Sequence, residues 1–169
     1  MTDVGKESQL EQIAKLSAEL DQLKYQLLIQ NVLLDDIFNN SPIGYLNLNE
    51  KGNIQKANVT LLDWLGYTRK ELNAYSEFRK LVGENYIQAF DLGFESILKG
   101  GTTNNLEVSL RKKDDNFLDV YVSGKIVSAP GEEILIRFTV MDVSEKKLIQ
   151  KDLAQKSKEI LSQNMMRRK

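Results

Sequence analysis

A chain of 169 residues, 41% apolar and 28% charged, has the length of one ordinary domain with extensions and the composition of a folded protein. Lys and Arg total 23 against 24 Asp and Glu, and the net charge of −1 gives no overall electrostatic case for nucleic acid or an anionic membrane. With no Cys and no His, disulfide scaffolds, thiolate metal sites, cysteine nucleophiles and the commonest general base are excluded. The opening "MTDVGKESQLEQ" lacks the basic-then-apolar order of a signal peptide. No apolar run approaches the roughly 18 residues that cross a bilayer, so the chain reads as cytoplasmic with no membrane segment. The one basic cluster, "RRK" at 167–169, reads as a solvated helix end rather than a binding patch.

Residues 9–38 contain no Gly or Pro and predict a helix about 45 Å long. Ile13, Leu16, Leu20, Leu23, Leu27, Leu34 and Ile37 recur at alternating steps of three and four, with Gln30 in the remaining slot. An amphipathic helix lying on its own core also shows a stripe. The strict a/d register and the Glu, Gln, Lys and Asp flanks favour a coiled coil, with these seven residues as a dimer seam and Gln30 fixing its register. "NNSPIG" ends the helix at Pro42. "IGYLNL" and "IQKAN" then read as short strands around a "NEKGN" turn. "VTLLDWLG" and "TRKELN" read as short helices, the second opened by a Thr68/Glu71 capping box. A longer helix over 85–99 carries Phe90, Phe94 and Ile97 on one side and stops at Gly100 and Gly101.

Three alternating strands follow, carrying Leu106/Val108/Leu110, Leu118/Val120/Val122 and Ile134/Ile136/Phe138/Val140, with "KKDDN" and "APGEE" as their turns. The order predicts an α+β domain, a five-stranded antiparallel sheet with helices on one side. A final helix over 143–166 is less regular; Ile149, Leu153 and Ile160 offer a weak seam, interrupted by Lys156 and Gln163. Its start is abrupt, because the last strand meets it with no Gly, Pro or loop between. Asp142 can accept a hydrogen bond from the first helical amides, and Glu145 occupies the reciprocal capping position.

In order and spacing, "NNSPIGYLNLNEKGNIQKAN", "NVTLLDWLGYTRKEL", "LEVSLRKKDDNFLDVYVS" and "DVSEKK" resemble the blocks of a PAS domain, the small sensor module of bacterial signalling proteins such as sensor histidine kinases. The resemblance covers 33–147, about two thirds of the chain. One departure stands in the hairpin, where Asp115 replaces the family's usual Gly; Asp tolerates turn conformations, so the hairpin is expected to survive. The resemblance implies the PAS fold with its last strand in the middle of the sheet, flanked by N- and C-terminal coiled-coil helices. The corresponding division is 1–38, 39–142 and 143–169: coiled-coil helix, PAS domain and signalling helix.

Three further expectations come with it. Leu46, Leu61, Trp64, Leu65, Phe90, Phe94, Val122, Ile136 and Phe138 are expected to line an internal ligand pocket, or else simply to pack the core. Asp142, Ser144 and Glu145 are expected to relay a change in the sheet to the outgoing helix, or else only to cap it. The cofactor stays unknown: the Cys of flavin-adduct relatives and the axial His of haem relatives are both missing, leaving a non-covalent small molecule or an empty pocket. No P-loop, dinucleotide or zinc-protease motif occurs, and neither "DD" pair makes a dyad, so the chain is not expected to be an enzyme. The resulting expectation is a sensor and dimerisation module. It is a parallel homodimer that relays a ligand or partner signal to a C-terminal effector or partner protein, a sensor kinase by association. The alternative is a scaffold that binds no ligand and only sets dimerisation or partner docking.

Overall fold

The computed structural model describes residues 3–75, 77–128 and 131–166, with side chains from 9 to 160 within those bounds. The chain divides into two compact units, 1–40 and 41–169. The first is a single helix, α1 (Asp3–Asn39), which begins earlier than the sequence pattern required. All seven residues of the predicted seam lie between 52% and 68% exposed on it. An isolated helix gains nothing from such a stripe, whose burial would be worth about 25 cal/mol per Å².

The second unit is built on a five-stranded antiparallel sheet in the order β2-β1-β5-β4-β3. Its strands are β1 (Gly44–Asn49), β2 (Ile54–Ala57), β3 (Thr103–Arg111), β4 (Phe117–Ile126) and β5 (Leu135–Asp142). Between β2 and β3 run α2 (Val59–Leu65), α3 (Arg69–Ala74), two 3-10 turns (Phe78–Leu81 and Glu84–Tyr86) and α4 (Ile87–Leu98). After β5 comes α5 (Ser144–Met166). Strand alternation sends Leu46, Leu48, Val108, Leu110, Leu118, Val120, Val122, Ile136, Phe138 and Val140 into one buried cluster shared with α2, α3 and α4. This is the predicted α+β architecture, and β5 sits at its centre.

Local differences from the sequence expectation have local causes. The helix expected over 85–99 gives up its first turn to 3-10 geometry, where the Tyr86 amide donates to the Gly83 carbonyl at 2.8 Å. Ile134 stays outside β5 because the β4–β5 ladder ends at the Ile126/Ile136 pair. The basic cluster at 167–169, Ala129 and Pro130 of the "APGEE" turn and the side chain of Gln163 lie outside the described residues.

Asn58 ties the first hairpin to the helices. Fully buried, it accepts from the Tyr45 amide (2.9 Å) and the Leu61 amide (3.1 Å), and its side-chain amide donates to the Ile43 carbonyl (2.9 Å). One side chain thus caps α2 and holds the start of β1. In the β3–β4 turn Asp115 takes φ +63°, a left-handed geometry that Gly adopts most readily and Asp tolerates.

The predicted capping box at Thr68 and Glu71 forms, and Glu71 also accepts from Lys113 of the β3–β4 turn at 2.8 Å. The Lys113 bond, then the Thr68 amide and hydroxyl, pull the Glu71 carboxyl from its ordinary 4.5 down to about 2. A depressed carboxyl contributes stability that is whole above its unfolded value and is lost as pH falls through the folded one. Glu71→Gln is therefore expected to flatten the stability–pH curve between about pH 4.5 and 2 relative to wild type, measured by urea unfolding. Parallel curves for the two proteins would contradict the assignment.

Candidate functional site

Apart from the seam on α1, two regions carry the residues singled out from sequence, the interior behind the sheet and the β5–α5 junction. In the interior, Leu46, Leu61, Leu65, Phe90, Val122, Ile136 and Phe138 are buried in one cluster, while Trp64 and Phe94 are partly buried against it. The space between helices and sheet is taken by phenylalanine rings. Phe138 on β5 lies 6.0 Å from Phe90, 6.4 Å from Phe78 and 6.5 Å from Phe94, centroid to centroid. Phe78 and Phe90 are 5.6 Å apart. These are ordinary distances for attractive aromatic pairs.

Two members of this arrangement were not foreseen. Phe78 sits in a 3-10 turn, where neither helical nor strand periodicity marks a residue as inward. Gly124 faces the core from β4, and a Cβ there would overlap the Phe138 ring and lie 2.8 Å from Ile97 Cδ1. A lone Gly inside the alternating run "VYVSGKI" was the available signal, since it marks close approach in a strand. Beside Phe90 and Phe94, a cavity of about 60 Å³ opens near Gly52 and Asp91. That is far below the 300 Å³ or more of a typical cofactor pocket.

The buried polar residues Asn47, Asn58 and Thr103 are already engaged. Asn58 serves the caps, Thr103 donates to the Gly93 carbonyl (2.8 Å), and Asn47 accepts from Arg137 (3.2 Å). Among the described residues no cluster of acidic, His or Cys side chains is arranged to hold a metal.

At the junction, the Asp142 carboxylate accepts from the Ser144 amide at 2.8 Å, while Ser144 and Glu145 are exposed. Val143 is buried, and its amide donates to the Asp119 carbonyl of β4 at 3.0 Å. Lys147 ties α5 to the sheet, pairing with Glu107 of β3 at 2.5 Å and Asp119 of β4 at 3.2 Å. Asp119 also accepts from the Ser109 hydroxyl. The Ser109 bond, with Lys147 behind it, holds the Asp119 carboxyl below its ordinary range, and Glu107 first, then Asp119, hold the Lys147 ammonium above its own. Lys146 lies 5.3 Å over the Tyr121 ring. Sequence reasoning named only the capping residues at this junction and did not find the Lys147 ion pairs, whose partners come from separate elements.

The PAS domain family matches residues 42–145. The PAS domain of an HTR-like protein from Haloarcula marismortui is 20% identical, with TM-score 0.60, over 72% of this chain and 98% of that one. A domain of a sensory box sensor histidine kinase/response regulator from Geobacter sulfurreducens is 19% identical, with TM-score 0.55, over 69% and 96%. A PAS domain from a two-component sensor histidine kinase is 15% identical, with TM-score 0.56, over 68% and 96%. No curated protein matches the chain.

Gly124→Ala forces either the Phe138 ring or the strand to move, and overpacking of this kind costs about 1–3 kcal/mol. A lowered urea midpoint with unchanged m-value is the expected result. An unchanged midpoint would mean the rings have room that their packing does not suggest.

Proposed function

We propose a sensory role for this chain, which belongs to the PAS domain family: it dimerises through α1 and passes a change in its sheet to α5. The observation that carries this reading is the junction. The central strand runs into α5 without a loop, Val143 is bonded to β4, and Lys147 holds the first turns of α5 to β3 and β4. A displacement within the sheet therefore shifts the balance between two orientations of the helix. PAS domains are generally sensory, non-catalytic modules, and the reading assigns no catalysis to this chain. Similarity to PAS domains of sensor histidine kinases supports a kinase as the output, within cytoplasmic two-component signalling.

The seam Ile13, Leu16, Leu20, Leu23, Leu27, Leu34 and Ile37 fits a parallel, in-register second copy, in which each a or d residue faces its own counterpart and Gln30 meets Gln30. The ring-filled interior favours an input other than a flavin or haem held behind the sheet. It also supports the narrower reading in which the domain acts as a scaffold, setting dimerisation and partner docking without a ligand.

Two measurements test the proposal. Lys147→Met removes partly exposed ion pairs, so global stability should fall by less than about 1 kcal/mol. Amide exchange over 144–150 should nonetheless speed several-fold; unchanged exchange there would remove Lys147 from the relay. By analytical ultracentrifugation the chain is expected to be a dimer, and Leu20→Glu with Leu27→Glu a monomer. A fully dimeric double variant would place the seam elsewhere.

A further inference from the structure

Phenylalanine rings pack behind the sheet, whereas a groove opens at its β3 edge. Residues 82–83 run along β3, with Val82 bridged to Leu110 and the Gly83 amide donating to the Ser109 carbonyl at 2.8 Å. Outside this cover lies a groove of about 670 Å³. Its floor is Gly83 and Ser109, Tyr86 stands at the start of α4, and Arg111 and Phe117 line the sheet side. Arg111 and Phe117 are directly paired across β3 and β4. Gly83 makes the space, since a Cβ there would stand 3.3 Å from both the Phe117 ring and the Ser109 carbonyl.

The chemistry of the lining selects a ligand class. Phe117 offers a ring 57% exposed to whatever enters. Of the cations on the rim, Arg79 is committed to Asp91 through two bonds (2.8 and 2.9 Å) and Lys80 to Glu77 (3.3 Å). Arg111 is in no ion pair with a carboxylate among the described residues, and the groove's lining holds one acid, Glu84, against the three cations Arg79, Lys80 and Arg111. An exposed ring and an uncommitted guanidinium on adjacent strands match a flat apolar body with a negative group at one end. The volume suits a drug-sized molecule.

The groove also reaches the junction. Ser109, on its floor, donates through its hydroxyl to Asp119, and Asp119 pairs with Lys147 of α5. We propose that this edge groove binds a small planar aromatic anion, its ring on Phe117 and its charge on Arg111, and that occupancy is transmitted to α5 through Ser109, Asp119 and Lys147. The binding half stands by itself; the transmission half rests on the relay reading above.

Titration of the full chain with 1-naphthoate, followed by amide NMR, tests the binding half, with 1-naphthalenemethanol as the uncharged probe. Saturable shifts are expected at Gly83, Arg111 and Phe117. Arg111→Gln, Phe117→Ala and the uncharged probe should each weaken binding about fivefold or more, roughly 1 kcal/mol. Absence of saturable shifts at low millimolar naphthoate, or shifts centred instead on Phe90 and Phe94, would overturn the site. Transmission is read by amide exchange over 144–150, which saturating naphthoate should change in wild type but not in Asp119→Ala, a residue outside the groove lining. Binding with no change in α5 exchange in wild type would retain the site and refute the transmission. Loss of the Lys147→Met effect would instead refute the relay reading itself, so the two failures are distinct.

Discussion

The last strand of the sheet in sequence is its middle strand in space, and much of the molecule follows from that placement. β5 is hydrogen-bonded to β1 on one side and β4 on the other, so it joins both halves of the sheet. Its inward residue Phe138 is the hub of the interior rings. Its end is the start of α5, with only Val143 between, and Val143 is buried and bonded to Asp119. Because the chain leaves from the centre of the sheet without a loop, no slack separates core packing from the orientation of the outgoing helix.

Filling the interior with phenylalanine has a cost and a consequence. The cost is tight tolerance: the rings require Gly124 on β4, where any side chain would collide with Phe138. The consequence is that polar chemistry moves to the rim. Buried Asn58 and Thr103 are occupied in holding backbone, while the charged groups gather outside the core at the β3–β4 edge and the α5 root. Partly exposed ion pairs of this kind contribute little to global stability, and those of Lys147 join the first turns of α5 to β3 and β4. The same carboxylate, Asp119, meets the edge groove through Ser109 and the helix through Lys147.

Much of this architecture was legible in the residues before any coordinates. Heptad spacing from Ile13 to Ile37, the Thr68/Glu71 capping box and the strand alternation each report on a single element, and each element is there. Asp115 in the β3–β4 turn kept the left-handed geometry that its residue type permits. The interior set was legible as apolar positions on inward faces. Phe78 was not, because a 3-10 turn imposes no long periodic pattern. At the junction, Asp142 was readable as a cap because its acceptor and the Ser144 amide are two residues apart. Lys147 was not readable as an anchor, since Glu107 and Asp119 lie 40 and 28 positions away and many other carboxylates were equally eligible.

By itself, then, the sequence determined which segments are helix and strand, which faces turn inward, and where caps and turns fall, because those depend on neighbours within a few residues. Tertiary structure decided which ring fills the space behind the sheet, which carboxylates hold Lys147, and that residues 82–83 leave a groove beside Arg111 and Phe117. Those outcomes depend on distances between elements far apart in the chain. Periodicity says which way a side chain points, and only the packed sheet says what it meets there.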